Sequence, residues 1–338
     1  DRLECIKNQD YDHNNMEVVL VDGASTDNTR ALMCEFALDN KDEFRRVVVL
    51  DNPKKTLPSG WNVALREYKG DAIIKVDAHA VIPEDFVSKN VRVLETGEYI
   101  CGGQRPNIID KPTPFKETLL LAESSMFGSS IASYRNNPGK TYVKSLFHAA
   151  YRREVFEKVG FFNEELVRTE DNEIHYRMRK AGYKLCFDPD IISYQYTRSS
   201  LKAMLKQKYA NGYWIGKTSK VCPKCLSIYH FVPFAFVSAI IASGSVIGAT
   251  GLAECIKKRH NHTLGKGISA LRKVTVVLTT VMWVLYALMA SGMAAVSAFK
   301  AEDKRNITNA CLPVLFLLLH LSYGIGTIAG LMDKSKRG

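Results

Sequence analysis

Three long runs of the chain lack any charged residue, and one long segment lacks any acidic residue. The uncharged runs are 231–250, 274–299 and 311–332. Each is about as long as the ~20 apolar residues with which a helix crosses the hydrocarbon core of a membrane. The acid-free segment extends from Arg198 to Lys224 and holds seven Lys and Arg residues. These patterns exclude a protein that is soluble along its whole length, and such a basic segment is typical of the cytoplasmic side of a membrane.

Cysteine spacing offers little support for a metal centre. Only Cys222 and Cys225 have the C-x-x-C spacing of zinc or redox sites, and a zinc site of this kind needs a second pair that the chain lacks. The other cysteines are scattered through apolar segments and resemble small buried hydrophobic residues. We therefore expect a reducing compartment.

The net charge of +11 is compatible with binding to nucleic acid or to an anionic membrane surface. Because the basic segment adjoins the uncharged runs, we expect membrane lipids as partners and no nucleic acid. The composition divides the chain into a first domain over 1–197, in which charged and apolar residues are interleaved, a basic amphipathic interfacial segment over 198–225, and a membrane domain over 226–338 with two or three transmembrane helices.

Strand and helix patterns alternate in the first third of the chain. Apolar runs rich in β-branched residues predict strands at 16–22, 46–51 and 72–77, and the segments between them predict helices at 29–39 and 59–68. This order is typical of a parallel α/β sheet with helices on both faces. The strands end in Asp22, Asp51 and Asp77, and because ligands bind at the carboxyl ends of parallel strands, we expect a site there.

Three short motifs resemble those of family 2 glycosyltransferases. They are VDGASTDNT at 21–29, DAH at 77–79, which corresponds to the D-x-D motif in a D-x-H form, and TED at 169–171. The segment AAYRREVFEKVGFFNEELVRTEDNE at 149–173 and the HLSYGIG of the last uncharged run are similar to membrane-bound enzymes of the succinoglycan-synthesis type. The resemblance implies a GT-A fold, which is a Rossmann-like nucleotide-diphosphosugar transferase domain, followed by transmembrane helices, and a role in exopolysaccharide biosynthesis.

On the donor side, the resemblance implies that Asp22, Asp51 and Asp77 bind the nucleotide, with Asp22 accepting a hydrogen bond from the base. It also implies that Asp77 and His79 hold a divalent metal, Mn²⁺ or Mg²⁺, beside the diphosphate. The family usually has Asp where this chain has His79, and imidazole is a better ligand for Mn²⁺ than for Mg²⁺. An alternative for Asp22 is that it caps the following helix.

On the acceptor side, the resemblance implies that Asp171 is the general base and that Glu170 positions the acceptor or Asp171. General-base catalysis of this kind contributes roughly 10²–10⁴-fold to a rate. The alternative is that both acids only complement the N-terminus of a helix that starts at 170. The family's Q-x-x-R-W motif has only a partial counterpart in QKYANGYW at 207–214, which does not support processive polymer synthesis. Leu201, Met204, Leu205 and Tyr209 instead predict one apolar face of an interfacial helix.

We therefore predict an inverting glycosyltransferase that moves a sugar from a nucleotide-diphosphate donor, which we expect to be a UDP-sugar, to a lipid-linked or polysaccharide acceptor. The catalytic domain of this multi-pass cell-membrane protein would face the cytoplasm. The alternatives are a non-catalytic or degenerate membrane protein on the same fold and a nucleotidyltransferase on a similar sheet.

Two features of the sequence depart from the simplest expectation. The apolar first strand of the family is missing, so we expect two unpaired edges in the sheet. Basic residues between the first two uncharged runs predict a cytoplasmic loop by the positive-inside rule, which would make 231–250 re-entrant or interfacial. The family resemblance instead implies full spans.

Overall fold

The computed structural model describes residues 2–128, 139–259, 265–301 and 305–334. The helices are α1 (Arg2–Lys7), α2 (Thr29–Asp39), α3 (Leu57–Glu67), α4 (Phe86–Glu95), α5 (Pro114–Ser124), α6 (Arg153–Val159), α7 (Glu170–Lys180), α8 (Leu201–Val221), α9 (Val232–Arg259), α10 (Lys266–Lys300) and α11 (Leu312–Met332). The strands are β1 (Glu17–Asp22), β2 (Arg46–Asp51), β3 (Ala72–Ile74), β4 (Ala80–Val81), β5 (Ile100–Gln104), β6 (Asn107–Ile108), β7 (Thr141–Val143), β8 (Ala150–Arg152), β9 (Leu185–Ile192) and β10 (Tyr194–Tyr196).

The described strands do not form one parallel sheet. They form a two-stranded sheet (β1-β2), a three-stranded sheet (β4-β10-β6) and a mixed five-stranded sheet (β3-β8-β5-β9-β7). β1 pairs with β2 in parallel, and β5 pairs with β9 in parallel, but β8 runs antiparallel to β3 and β5. The sequence favours a helix from residue 151, yet Ala150 and Tyr151 are the first two residues of β8. Both are at most 1% exposed, so burial between two strands outweighs the local helical pattern.

A gap separates β1 from β3. In the described residues β1 pairs only with β2, and β3 pairs only with β8. A cavity of about 1,560 Å³ lies between them, lined by the apolar side chains Val19, Val21, Ile73 and Ile74 among others. The sheet therefore has the two unpaired edges expected from the missing strand.

The core of the catalytic domain lies beneath β8 and α7. Ile100, Tyr151, Ile174, Met178 and Phe187 form one cluster of fully buried side chains. Since α7 contributes two of these residues, its first turn is held at a defined position over the sheet. That turn carries Glu170 and Asp171.

Three C-terminal segments are long and apolar enough to cross a membrane. They are Ile228–Arg259, Lys266–Lys300 and Ile307–Met332, and they contain the three predicted uncharged runs. α8, which precedes them, differs from the predicted interfacial helix in one respect. Lys208 is 5% exposed and lies 3.4 Å from Glu123 of α5, because the catalytic domain covers the face of α8 that was expected to be solvated.

Candidate active site

Lys75 lies at the centre of a buried charged cluster. Its backbone N–H donates to Ala149 at 2.9 Å, which extends the β3–β8 pairing by one residue and points the side chain beneath α7. Its Nζ lies 2.6 Å from Asp171 Oδ1 and 3.8 Å from Glu170 Oε1. The side chain is only 4% exposed, and that of Asp171 is 17% exposed. Asp171 is therefore anchored from below while part of its carboxylate remains accessible.

Burial and neighbouring charges shift the pKa of Lys75 in opposite directions. Burial by itself lowers the pKa of Lys75, but Asp171, Asp77 and Glu170 outweigh it, so the pKa of Lys75 is raised and the ammonium stays charged. Burial and the adjacent Asp171 raise the pKa of Glu170 to about 8. At neutral pH Glu170 is therefore largely protonated beside the Lys75–Asp171 ion pair. Both acids therefore contact Lys75 in addition to lying in the first turn of α7.

Sequence reasoning missed Lys75. The available signal was a lysine inside an apolar strand, in Ile73-Ile74-Lys75-Val76. A lysine at such a position is almost never fully buried without a partner. That signal indicates a buried acid but does not say which one, because the partner is 96 residues away.

Asp77 is held in a second buried group of polar side chains. It is 8% exposed, and its Oδ2 lies 3.7 Å from His148 Nε2. His148 Nδ1 lies 2.8 Å from Ser193 Oγ. Burial raises the pKa of Asp77, but the His148 contact and the Lys75 charge outweigh it, so the pKa is lowered and the carboxylate stays ionised. His148 was also missed, since a lone histidine before a strand carries no signal in one sequence.

The D-x-H motif fits a cation that is bound mainly by a diphosphate. Oδ1 of Asp77 is buried and has no hydrogen-bond partner among the described residues. His79 is exposed, and its Nε2 lies 3.2 Å from Gln195 Nε2 of β10. Within the described ranges, no three His, Cys, Asp or Glu side chains converge to hold a metal ion. One or two protein ligands are what Mg²⁺ and similar ions take when phosphate oxygens supply the rest of the coordination shell.

Asp22 and Asp51 end neighbouring strands and lie opposite each other in the β1–β2 register. Asp22 is 2% exposed and accepts a hydrogen bond from the Ser25 N–H. It therefore shapes the loop after β1 rather than capping α2, whose N-cap residue is Asn28. Asp51 is exposed and ion-paired with Arg30 at 2.8 Å, and this pair lowers the pKa of Asp51.

The predicted acids fall into two groups along one edge of the sheet. Val21 and Gly23, on either side of Asp22, line the large cavity together with Asp77 and Ala78. Asp171 and Glu170 meet this region through Lys75, which is two residues from Asp77. The fold therefore brings Asp77, Glu170 and Asp171 together around Lys75, with Asp22 at the edge of the cavity that Asp77 lines, while Asp51 is exposed.

A buried histidine supports α7 below the acids. His175 is fully buried, and its two ring nitrogens lie 3.0 Å from Ser145 Oγ and 2.8 Å from Tyr151 Oη. Burial lowers the pKa of His175 to about 4, so the ring is neutral at physiological pH. These contacts fix the rotation of α7 about its axis.

Comparison with known proteins agrees with this geometry. Residues 1–160 match the family model of Glycosyl transferase family 2. The chain is 30% identical over 203 residues to the succinoglycan biosynthesis protein ExoA of Rhizobium meliloti, and the match covers 59% of each chain. The chain therefore spans less than two thirds of the length of that relative.

A second relative comes from an archaeon. The chain is 26% identical to the dolichyl N-acetyl-alpha-D-glucosaminyl phosphate 3-beta-D-2,3-diacetamido-2,3-dideoxy-beta-D-glucuronosyltransferase of Methanococcus voltae, over 71% of this chain and 75% of that protein. Among solved structures, the mannosyltransferase PcManGT from Pyrobaculum calidifontis, in complex with GDP-Man and Mn²⁺, superposes with a TM-score of 0.56 at 17% identity. That match covers 99% of this chain and 83% of PcManGT. At this identity the likeness shows the fold alone. Residues 1–160 therefore match a Glycosyl transferase family 2 domain, the chain has the GT-A fold, and helices long and apolar enough to cross a membrane follow this domain.

Proposed function

We propose that the chain is an inverting glycosyltransferase that transfers a sugar from a nucleotide-diphosphate donor to a hydroxyl group of its acceptor. The observation that carries the proposal is the placement of two carboxylates. Asp171 is anchored on Lys75 at 2.6 Å, and Asp77 lies in the same buried region, where its Oδ1 has no hydrogen-bond partner within the described ranges. One carboxylate is suited to taking a proton and the other to binding a cation.

The donor nucleotide lies along the edge formed by the ends of β1 and β3. Asp22 accepts a hydrogen bond from the N–H of the base, since an ionised carboxylate can only accept. We propose a UDP-sugar, because a uracil imide offers one such N–H. Asp77, with His79 beside it, would hold the divalent cation, which would supply positive charge to offset the negative charge of the departing nucleoside diphosphate.

The acceptor hydroxyl binds next to Asp171. Asp171 removes the hydroxyl proton as the oxygen attacks the anomeric carbon from the side opposite the leaving group. A bond forms between the acceptor oxygen and the anomeric carbon, and the bond from that carbon to the diphosphate oxygen breaks. The proton ends on Asp171, and the configuration at the anomeric carbon is inverted. Glu170, which is protonated and buried, keeps a second negative charge away from the base.

The acceptor is a lipid-linked or polysaccharide glycan at the cytoplasmic face of the cell membrane. Support comes from the acid-free basic segment at 198–224, which attracts anionic lipids, and from the three C-terminal apolar helices. The relatives ExoA and the Methanococcus voltae transferase are named for exopolysaccharide and dolichyl-linked glycan synthesis. We extend an acceptor of this class to the present chain.

The test is turnover of a panel of nucleotide sugars by the detergent-solubilised chain and by Asp171→Asn, each with Mn²⁺ and with Mg²⁺. We expect at least a ~100-fold lower kcat in Asp171→Asn with unchanged donor affinity, because the amide cannot take a proton. Glu165→Asn, on the exposed loop before α7, is the control and should keep full activity. Unchanged turnover in Asp171→Asn would remove the general-base assignment, and no binding of any donor would reject the proposed function.

A further inference from the structure

α11 runs parallel to α8 over its C-terminal part, from about Ser322 to its end. Ser322 Oγ donates to the Leu205 carbonyl at 2.8 Å. Further along, a Cβ on Gly326 or Gly330 would lie about 2 Å from the carbonyl oxygens of Tyr209 and Tyr213, respectively. Successive contact positions are four residues apart on both helices. The two helices therefore lie side by side with backbones in close contact, which small residues make possible.

α8 itself lies on the catalytic domain. Lys208 pairs with Glu123 of α5 at 3.4 Å, and Asn211 accepts a hydrogen bond from Arg168 at 3.2 Å. Thr218, three turns from Lys208, is hydrogen-bonded to Thr169, next to the proposed base. These contacts extend over about 15 Å of helix at 1.5 Å per residue. A helix attached at points so far apart lies along the domain surface rather than pointing away from it.

Both ends of α11 are attached to this same body. Just before α11, Thr308 and Asn309 are hydrogen-bonded to Thr118 of α5 at 2.6 and 2.7 Å. Just after α11, the Asp333 carboxylate lies 3.2 Å from Lys217 Nζ of α8, and the Asp333 carbonyl accepts from Lys220 at 2.9 Å. A helix that crosses a bilayer has its ends on opposite faces, about 30 Å apart. One water-soluble domain cannot reach both faces.

α9 and α10 are attached in a different way. α9 contacts α11 near its start, where Pro233 and Val237 lie against Gly324. α10 contacts α11 towards its end, through Tyr286, Ala290 and Ala294. The segments farther from the body, about 238–259 and 266–285, present many exposed apolar side chains. Together with the residues nearer the body, the uncharged parts of these helices, 232–253 of α9 and 274–299 of α10, are long enough to cross the hydrocarbon core.

We propose that α9 and α10 form a hairpin that crosses the membrane twice, and that α11 does not cross it but lies with α8 along the membrane surface on the side of the catalytic domain. α11 would bury its outer apolar side chains, such as Val314, Ile325 and Met332, in the lipid interface. The exposed Lys202 and Lys206 of α8 remain at headgroup level. The burial of the three helices agrees with this division. In the most apolar stretch of each helix, 39% of the residues of α11 are buried inside the protein, against 6% in α9 and 11% in α10.

The tip of the hairpin, meaning the end of α9 and the start of α10, lies on different sides of the membrane in this topology and in the re-entrant one. Lys257, Lys258, Arg259 and Lys266 lie at the tip, and the positive-inside rule would keep them on the cytoplasmic side with a re-entrant first helix. In the two-span hairpin the tip lies on the face opposite the catalytic domain. Three full spans also place the tip there, but they place the end of α11 on that opposite face as well.

Labelling of single cysteines in sealed membrane vesicles of both orientations tests the proposal. In the full-length chain with its native cysteines replaced, the single substitutions are Gly265→Cys at the tip, Arg305→Cys before α11, Lys334→Cys after α11 and Lys41→Cys as a reference on the catalytic domain. All four positions are exposed. The readout is modification by a membrane-impermeant maleimide, and retained binding of nucleotide or of the divalent ion alone checks the fold of each variant.

The two-span topology predicts that positions 305 and 334 label on the same side as position 41, and that position 265 labels on the other side. Labelling of positions 265 and 334 together, opposite position 41, would establish three spans and overturn the proposal. Labelling of position 265 on the side of position 41, with position 305 opposite, would establish the re-entrant arrangement and overturn it equally.

Discussion

At the scale of single residues, the candidate site is organised around the charge of Lys75, which lies among three acids. Lys75 forms an ion pair with Asp171 and helps to lower the pKa of Asp77, while burial raises the pKa of Glu170 to about 8. The D-x-H and T-E-D motifs located these acids from the sequence, but the motifs could not show which acid would hold a proton. That depends on burial and on a lysine from another segment.

The pH dependence of stability reports the protonation of Glu170. Because its pKa is raised in the folded state, folding favours the protonated form, so its contribution to stability is present at low pH and is lost as pH rises towards and beyond about 8. Between about pH 5 and about pH 9 the melting temperature of the parent should therefore fall relative to that of Glu170→Gln.

Thermal unfolding in detergent at a series of pH values measures this difference. The exposed variant Glu165→Gln is the matched control and should follow the parent. Parallel curves for the parent and Glu170→Gln would mean that Glu170 is ionised throughout the range.

The two strand-end acids of β1 and β2 should differ in their effect on donor binding. Asp22→Asn should weaken nucleotide binding at least ~10-fold, because a hydrogen bond to a charged group contributes roughly 1.5–3 kcal/mol. Asp51→Asn should weaken it less than ~3-fold, because Asp51 is exposed and already paired with Arg30. Calorimetric titration with the nucleoside diphosphate and Mn²⁺ measures the affinity of both variants. Equal losses of affinity would mean that Asp51 binds the nucleotide as strongly as Asp22 does.

His79 should influence the choice of metal. Imidazole is a better ligand for Mn²⁺ than for Mg²⁺, whereas a carboxylate suits both. His79→Asp should therefore lower the ratio of donor affinity in Mn²⁺ to that in Mg²⁺ by about tenfold. The measurement is donor binding after chelator treatment and addition of each ion, with the neighbouring exposed Ala78→Ser as control. An unchanged ratio would place His79 outside the metal site.

At the scale of elements, several helices and strands near the site lie where the sequence predicts them. β1, β2, α2 and α7 begin and end within one or two residues of the predicted positions. β8 was missed because its three residues also fit the start of a helix. The local pattern of a three-residue strand is weak, and only burial between β3 and β5 selects it.

The packing of α8 against α11 depends on glycine. A Cβ on Gly330 would lie 2.0 Å from the Tyr213 carbonyl oxygen, whereas a Cβ on Gly244 of α9 has nothing within 4 Å. Gly330→Ala should lower the free energy of unfolding by about 1–3 kcal/mol through overpacking. Gly244→Ala should leave it unchanged or slightly raised. Thermal unfolding in detergent compares the two variants. Equal changes in their free energies of unfolding would contradict the close packing of α8 against α11.

At the scale of the whole molecule, a soluble domain and an apolar hairpin are joined by α8 and α11. If α9 and α10 cross the bilayer, the chain should remain in the membrane pellet after washing with high salt and with alkaline carbonate, because neither removes a spanning helix. A peripheral membrane protein in the same preparation is the control and should be released. Release of the chain by high salt alone would mean that electrostatic attraction of its basic segment holds it to the membrane.

The sequence by itself indicated the family, the first three strands with the helices between them, the candidate acids of the site and the presence of apolar helices. Those features depend on local periodicity and on short motifs, which a single chain displays directly. Tertiary structure alone decided that Lys75 anchors Asp171, that His148 faces Asp77, and that α11 lies along α8, with its start on α5 and its end on Lys217 and Lys220 of α8. Each of these is a contact between residues far apart in the chain, and its energy depends on burial and distance that no local pattern contains.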